Sequence, residues 1–393
     1  MSGASSTSAT VSDWLPTGFR AGSATAGLKD SGLPDVALVV NDGPLDAAAG
    51  VFTANRVKAA PVLWSQQVLS AGRVEAVVLN SGGANACTGP DGFADTHRTA
   101  EAVADALGTG AARVAVCSTG LIGVRLPMDR LLPGIAAAAA GLAATGGADA
   151  AEAIRTTDTV AKTATAAGEG WTVGGMAKGA AMLAPALATM LAVVCTDAVA
   201  DAATLDAALR AATAGSFDRV DTDGCMSTND TVLLLASGAS GVTPTADELT
   251  AAVSAVCQDL ALQMVRDAEG ASKDIAVEVV GAATVADALE AARAVGRSNL
   301  LKCALHGQDP NWGRVLAAVG TTHAAFAPDE IDVAINGVQV CRDGAPGDDR
   351  DLVDLTGRDV RIVVDLHAGD ATATIWTSDL TADYVHENSA YST

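Results

Sequence analysis

The chain has 393 residues, of which 49% are hydrophobic, and it carries a formal net charge of −22 at pH 7. This hydrophobic content is enough for a sizeable core and excludes global disorder. The acidic balance argues against nucleic acid and against an anionic membrane surface as main partners, because both require a basic face.

Short runs rich in β-branched residues alternate along the chain with alanine-rich segments, which predicts strands interleaved with helices. The predicted strands are Val36–Val40, Val74–Asn80, Val114–Cys117, Leu191–Thr196, Thr231–Leu235 and Ile275–Val280. The predicted helices are Ala100–Leu107, Met128–Ala144, Thr204–Ala214, Asp247–Glu269, Ala286–Val295 and Gly313–Val319. Further strands flank the Asn336-Gly337 turn, which is a hairpin signal, and the segment His367–Asp370. We therefore expect mixed sheets with packed helices, an α/β or α+β fold.

The clearest helix signal is a capping box formed by Thr245 and Glu248. Gly270 is predicted to end the same helix. This places Asp267 and Glu269 in the last turn, where the helix dipole favours cations over acids. Acids in an unfavourable position are a mild hint of a functional site.

Cysteine and histidine usage gives no sign of a metal site or a disulfide framework. The seven cysteines are scattered, no CxxC pair occurs, and no histidine stands three to five residues from another. We expect no metal and a reducing cytoplasm, with Cys87 and Cys117 as small core residues. The N-terminus has no secretory-signal pattern, and the uncharged stretches 131–148 and 179–196 are too rich in Ala and Gly to predict a membrane span.

Two glycine-rich stretches, Ser81–Gly89 and Gly168–Gly179, predict tight turns. Neither matches a dinucleotide fingerprint or a phosphate-binding loop. The chain also lacks a GxSxG nucleophile elbow. These absences exclude the nucleotide-binding and ordinary serine-hydrolase interpretations.

The segment 175–191 has an unusual composition, with Lys178 just upstream of an uncharged run that contains the Ala188-Thr189 bond. Taken alone, Thr189 is the first residue of a buried strand, and no other interpretation is needed.

Eight pieces of sequence, in order over nearly the whole chain, resemble the ornithine acetyltransferase family, the ArgJ glutamate N-acetyltransferases. They are Leu79–Gly89, Cys117–Gly123, Thr156–Asp158, Lys178–Leu191, Ser227–Asp230, Asp267–Gly270, His306–Arg314 and Glu387–Tyr391. The chain departs from the family pattern at Arg155, which could alter the rim of the pocket, and at Gly224–Met226.

The resemblance implies the fold shared by ArgJ and the DmpA amidases, with helices on mixed sheets and an N-terminal nucleophile made by self-cleavage between Ala188 and Thr189. The products would be an α chain, residues 1–188, and a β chain, residues 189–393, paired as an α2β2 heterotetramer. The chemistry suits a threonine, because the freed α-amine, with an ordinary pKa of about 7.7–8.0, can act as base for its own hydroxyl.

The implied reaction takes acetyl from N-acetylornithine onto Thr189 and passes it to glutamate, within arginine biosynthesis and without a cofactor. Acetyl-CoA is a further candidate donor. The resemblance assigns the oxyanion to the Thr119 hydroxyl and the Gly120 N–H, and the substrate carboxylate and ammonium to Lys178 and Glu269.

The predicted substrate site is completed, again by resemblance, by Thr156, Asn388 and Thr393. No catalytic task is assigned to His306 or Trp312, although both lie in a conspicuous motif.

Two alternatives remain open from the sequence. One is an amidase or aminopeptidase with the same nucleophile, in which water rather than glutamate resolves the acyl-enzyme. The other is an uncleaved, non-enzymatic binding homologue, which an intact full-length mass would favour.

Overall fold

The structure is a computed structural model that describes residues 13–183 and 190–390. Its helices are α1 Ala60–Leu69, α2 Gly89–Leu107, α3 Met128–Ala140, α4 Gly147–Ala153, α5 Ala202–Gly215, α6 Ala246–Arg266, α7 Val285–Gly296, α8 Asn299–His306, α9 Trp312–Val319 and α10 Ala382–Ala390. Its strands are β1 Phe19–Ala24, β2 Val36–Asn41, β3 Ala47–Phe52, β4 Ala76–Asn80, β5 Val114–Ser118, β6 Lys162–Gly168, β7 Trp171–Lys178, β8 Leu191–Thr196, β9 Thr231–Ala236, β10 Asp274–Ala282, β11 Asp332–Ile335, β12 Val338–Arg342, β13 Ala345–Pro346, β14 Asp359–Asp365 and β15 Ala371–Ser378.

Two sheets form the centre of the molecule and pack face to face. The first has the strand order β1-β2-β4-β5 and the second the order β3-β9-β8-β7-β6. The alternating residues of β8 show that this strand is buried on both faces. Val193 and Cys195 pack against the first sheet, whereas Ala192 and Val194 pack in the core on the other face of the second sheet. A strand buried on both faces needs an unbroken apolar run, which is what β8 has.

Helices cover the two outer faces of this sandwich. Helices α2 and α3 pack on the first sheet, in a core that includes Leu38, Val78 and Leu131. Helices α5 and α6 pack on the second sheet, in a core that includes Leu209 and Leu260. The result is a four-layer αββα sandwich.

A third sheet, in the order β13-β12-β11-β14-β10-β15, carries its own core with α7, α8 and α9. It contains both parallel and antiparallel pairs, as do the other two sheets. The predicted mixed α/β class is therefore confirmed.

The predicted strands are confirmed, with ends shifted by at most two residues. Helix α2 begins at Gly89, eleven residues before the predicted start, with a proline in its first turn, and α3 ends four residues early. The capping box of α6 is confirmed. The strands on either side of His367–Asp370 do not pair with each other, because β10 lies between them.

Two predictions about the glycine-rich stretch and the end of α6 are wrong. Most of Gly168–Gly179 is strand β7, and the turn is confined to Glu169 and Gly170. Helix α6 ends at Arg266, so Glu269 does not lie in its last turn, and Asp267 is the C-cap residue. The helix-dipole argument for Glu269 therefore does not hold.

None of the helices in the described part of the chain is both long and apolar enough to span a bilayer.

Candidate active site

A cavity of about 110 Å³ lies where the two central sheets meet α6 and α10. Six residues that the sequence singled out line it: Thr119, Gly120, Thr156, Lys178, Glu269 and Asn388. They come from five separate segments of the chain. A second cavity, of about 900 Å³, shares several of these lining residues and adjoins the first. The other predicted site residues, Ala188, Thr189 and Thr393, lie outside the described residues.

Thr119 and Gly120 form a sharp turn directly after β5. The Thr119 N–H donates to the Asn80 carbonyl at 3.0 Å, and the Thr119 carbonyl accepts from Gly83 N–H at 2.9 Å. Gly120 has φ +126°, and a Cβ there would lie 2.8 Å from the Gly83 nitrogen. Only glycine fits this close approach, so the backbone dictates the residue.

Lys178 ends β7 and is 2% exposed. Its ammonium makes no hydrogen bond within residues 13–183 and 190–390, and its nearest anion, an oxygen of Asp158, is 4.0 Å away. Burial lowers the pKa of Lys178, Asp158 opposes that shift, and the like charge of Lys162 adds to it. The cavity thus holds a buried cation whose three donors bond to none of the described residues.

Asp158 anchors the floor of the site. It accepts bonds from Lys162 Nζ at 2.6 Å, from Gly179 N–H at 2.6 Å and from Thr156 N–H at 3.1 Å. Burial alone would raise its pKa, but Lys178, Lys162 and these bonds hold the pKa of the Asp158 carboxyl well below its usual range. The carboxylate therefore fixes the Thr156 turn and the end of β7 relative to each other.

Lys162 joins this floor to α6. Its fully buried ammonium also bonds to Asp267, the C-cap of α6, which in turn accepts from Thr159 N–H at 3.0 Å. This explains why an acid stands at the end of α6: a buried lysine neutralises it.

Glu269 lies in the segment that follows α6. Its N–H donates to the Ala180 carbonyl at 2.9 Å, which fixes the segment against the end of β7. Its Oε2 accepts from Asn388 Nδ2 at 2.8 Å, so α10 covers the same side of the cavity. The cavity therefore carries a cation, Lys178, and a carboxylate, Glu269.

The segment Ser227–Asp230 forms another wall and ties it to the Thr119 turn. The Asn229 side chain donates to the carbonyls of Ala84 and Ser118, at 2.6 and 2.8 Å. Ser118 is the residue before Thr119. Asn229 therefore holds the turn after β5 in register with the start of β9.

The remaining predictions have mixed outcomes. Arg155 folds back onto the carbonyls of Asp158 and Thr159 and does not line either cavity. Cys117 is buried, and burial raises its pKa to about 12. Cys87 is exposed, with φ +56° in a turn, so the prediction that it is a core residue is wrong.

His306 and Trp312 lie away from the small cavity. His306 Nδ1 is 3.1 Å from Asp379 and 3.2 Å from the Ser272 hydroxyl, and it lines the larger cavity. Trp312 packs on the core of the third sheet.

Sequence reasoning missed Lys162 and gave no role to Asp158, Asn229 or Asp230. The last three lie in the family motifs, which was the available signal. Lys162 stands only four residues after Asp158, but its second partner, Asp267, is 105 residues further along the chain, and no local pattern marks that contact.

Comparison with known proteins places the chain in a family. The model of the ArgJ family matches residues 20–393. The chain is 70% identical over 375 residues to the arginine biosynthesis bifunctional protein ArgJ of Streptomyces coelicolor, covering 95% of this chain and 98% of that protein. It is 60% identical over 385 residues to the protein of the same name from Mycobacterium leprae, covering 96% of this chain and 95% of that protein.

The chain belongs to the ArgJ family. As an ArgJ protein it is an acetyltransferase of arginine biosynthesis, which decides against the non-enzymatic alternative. Among solved structures, it is similar to the ornithine acetyltransferase of Mycobacterium tuberculosis, solved in complex with ornithine, at 60% identity and a TM-score of 0.44, over 46% of this chain and 95% of that one. The ArgJ structure from Bacillus halodurans gives 38% identity and a TM-score of 0.48, over 50% and 96%.

Proposed function

We propose that this chain transfers acetyl from N-acetylornithine to glutamate through an acetyl ester on Thr189. The observation that carries the proposal is the cavity in which Lys178 and Glu269 present opposite charges beside the Thr119-Gly120 turn. An acetylated ornithine has an α-carboxylate at one end and a side-chain ammonium at the other. A buried cation and a carboxylate in one small cavity suit both groups.

The choice of Thr189 as nucleophile follows from its position in the chain, next to a strand that pairs with the Lys178 end of β7. Thr189 is bonded to Met190, which directly precedes β8, and β8 pairs with β7 so that Leu191 lies opposite Lys178. The chain cuts itself between Ala188 and Thr189, and the new α-amine takes the proton of the Thr189 hydroxyl as that oxygen attacks the acetyl carbonyl.

Charge that develops on the carbonyl oxygen needs preorganised donors. The Thr119 hydroxyl and the Gly120 N–H serve this purpose, on a turn that Asn80 and Gly83 hold in place. Lys178 pairs with the donor carboxylate and Glu269 with its ammonium. Thr156, Asn388 and Thr393 complete the substrate site.

The acetyl-enzyme then meets glutamate, whose amine takes the acetyl group and releases Thr189 for the next cycle. Acetyl-CoA is a second donor in this scheme, and the two fragments, 1–188 and 189–393, assemble as an α2β2 heterotetramer.

Replacement of the nucleophile tests the proposal. Thr189→Ala should give a folded, full-length chain without acetyl exchange between N-acetylornithine and glutamate, whereas Thr189→Ser should retain some cleavage. In the wild type, N-terminal sequencing of the second fragment should read Thr-Met-Leu-Ala-Val. Thr165→Ala, an exposed threonine in β6, is the control and should behave as wild type.

Two results would contradict the proposal. One is acetyl exchange by Thr189→Ala, which would place the nucleophile elsewhere. The other is acetate release at an equal rate with and without glutamate, which would make the enzyme a hydrolase.

A further inference from the structure

Asp230 is a buried carboxyl group to which the acetyl-transfer scheme gives no task. It directly precedes β9 and has no exposed surface. Its Oδ1 accepts a bond from Met190 N–H at 3.1 Å, whereas its Oδ2 is buried without a hydrogen-bond partner among the described residues. An ionised, buried carboxylate oxygen without a well-placed donor among the described residues is costly. The arrangement suits a neutral acid whose proton sits on Oδ2.

The surroundings of Asp230 agree with a neutral acid. Burial raises the pKa of Asp230 well above its ordinary value, and hydrogen bonding from the Met190 N–H and from the nearby Ser227 and Thr53 hydroxyls, together with the charge of Lys178, only partly offsets that rise. Lys178, on β7, is the charged group that acts on it from a neighbouring element, and Thr53 and Ser227 carry neutral hydroxyls. The Thr53 hydroxyl donates a hydrogen bond to the Ser227 carbonyl at 2.7 Å.

The backbone holds Asp230 firmly in place. Strands β8 and β9 run parallel with Leu191 opposite Thr231, so Met190 and Asp230 stand together just before the ladder begins. Thr231 N–H donates to the Met190 carbonyl at 3.2 Å, and Thr53 N–H donates to the Asp230 carbonyl at 2.9 Å. Asp230 is thus fixed beside Met190, the residue that directly precedes β8.

That position is next to the expected cut. The Met190 nitrogen, to which Asp230 bonds, is the nitrogen of the Thr189-Met190 peptide. Thr189, whose nitrogen and hydroxyl take part in the proposed cut, is the residue that precedes Met190 in the chain. No other carboxyl group among the described residues bonds to Met190.

We propose that Asp230 is the proton-transfer group of self-cleavage at the Ala188-Thr189 bond. This inference rests on the proposed function. The Thr189 oxygen forms a bond to the Ala188 carbonyl carbon, and the bond from that carbon to the Thr189 nitrogen breaks. Asp230 gives the proton on Oδ2 to the leaving nitrogen and receives the hydroxyl proton on Oδ1, so it ends the step as a neutral acid again.

Water then completes the reaction by hydrolysing the ester. The Ala188 carbonyl becomes a carboxylate, the Thr189 hydroxyl is restored, and the released proton goes to the new α-amine. The proton transfer needs no further reactant, since one carboxyl group acts as acid and base in the same step.

The experiment follows cleavage in chains made by cell-free translation with labelled methionine, chased at a series of pH values. General acid–base groups contribute about 10²–10⁴-fold to rate, so Asp230→Asn should slow cleavage by that factor while the chain stays folded. Wild-type cleavage should slow as the pH rises through the raised pKa of Asp230, because the acid form is the active one. The residual cleavage of Asp230→Asn should lack this fall.

Asp197→Asn is the matched control. Asp197 follows the other end of β8, is 6% exposed and accepts a bond from Thr172 N–H at 2.7 Å. It should cleave at the wild-type rate. If Asp230→Asn cleaves as fast as this control, the inference is wrong. If the wild type itself stays uncleaved, the proposed function fails instead.

Thermal melting separates a folding defect from a chemical one. Where Asp230→Asn does not fold, the wild-type pH profile decides the question, since a rate that does not fall with rising pH overturns the role of the acid form.

Discussion

Replacing Lys162 with methionine should destabilise the whole protein far more than a typical substitution. Lys162 is fully buried, and its ammonium bridges the carboxylates of Asp158 and Asp267, of which Asp158 is also completely buried at its oxygens. Methionine has similar length and apolar bulk, so it fills the space but leaves two carboxylates without their shared cation. Breaking a buried ion pair on one side costs about 3–5 kcal/mol.

For a chain of this size that loss corresponds to a fall in Tm of roughly 4–6 °C. Differential scanning calorimetry should measure it on samples whose cleavage state has been checked by gel. Arg210→Met is the control, because Arg210 and Asp206 form an exposed pair with side-chain exposures of 62% and 44%. Such pairs contribute only about 0–1 kcal/mol.

The pH dependence gives a second, independent check. Because its folded-state pKa lies below the ordinary carboxyl value, Asp158 stabilises the fold above about pH 4, and this contribution is lost as the pH falls below that value. The stability gap between wild type and Lys162→Met should therefore narrow in acid. A gap under 1 kcal/mol at pH 7, or one that stays constant into acid, would refute the electrostatic account of this network.

Three further outcomes follow from the site. Glu269→Gln should lower kcat/KM for N-acetylornithine roughly 10- to 150-fold, since charge-assisted bonds are worth about 1.5–3 kcal/mol, and should change an uncharged acetylated donor much less; equal losses on both would contradict its role. Asn229→Ala should leave two buried carbonyls unpaired, at a cost of about 1–3 kcal/mol, and steady-state kinetics should show a lower kcat with little change in KM. Iodoacetamide should label Cys87 in the folded protein and leave Cys117 unlabelled, which peptide mass spectrometry can measure; early labelling of Cys117 would contradict its burial.

Local patterns in the sequence predicted much of the sandwich. The apolar run Leu191–Thr196 and the capping box at Thr245 depend on neighbours in the chain, and both are found in place. Strand β7 was missed because Gly174 and Gly175 suggest a turn. For Gly174 the structural reason is a distant contact, because a Cβ there would lie 1.7 Å from the Trp14 carbonyl oxygen.

The site, too, has parts that the sequence predicts and parts that depend on distant contacts. Family motifs placed six residues that the fold brings to one cavity, but their supports come from long-range contacts. Lys162 bonds across 105 residues to Asp267, and Asn229 reaches 145 residues back to Ala84. Such pairings leave no local periodicity, so no reading of single segments could have found them. The end of α6 was misplaced because Gly270 suggested a C-cap, whereas the helix ends at Arg266 with Asp267 as its C-cap.

The second sheet, in the order β3-β9-β8-β7-β6, combines strands from both sides of the proposed cut. Strands β3, β6 and β7 precede residue 189, β8 and β9 follow it, and the pairs β7–β8 and β3–β9 join the two groups. Neither product of cleavage can complete this sheet or its core by itself. Cutting the chain thus leaves the folded molecule intact but turns its refolding from a one-body into a two-body event. A cleaved sample should regain structure at a rate that rises with protein concentration, whereas the uncut chain should refold at a rate independent of it.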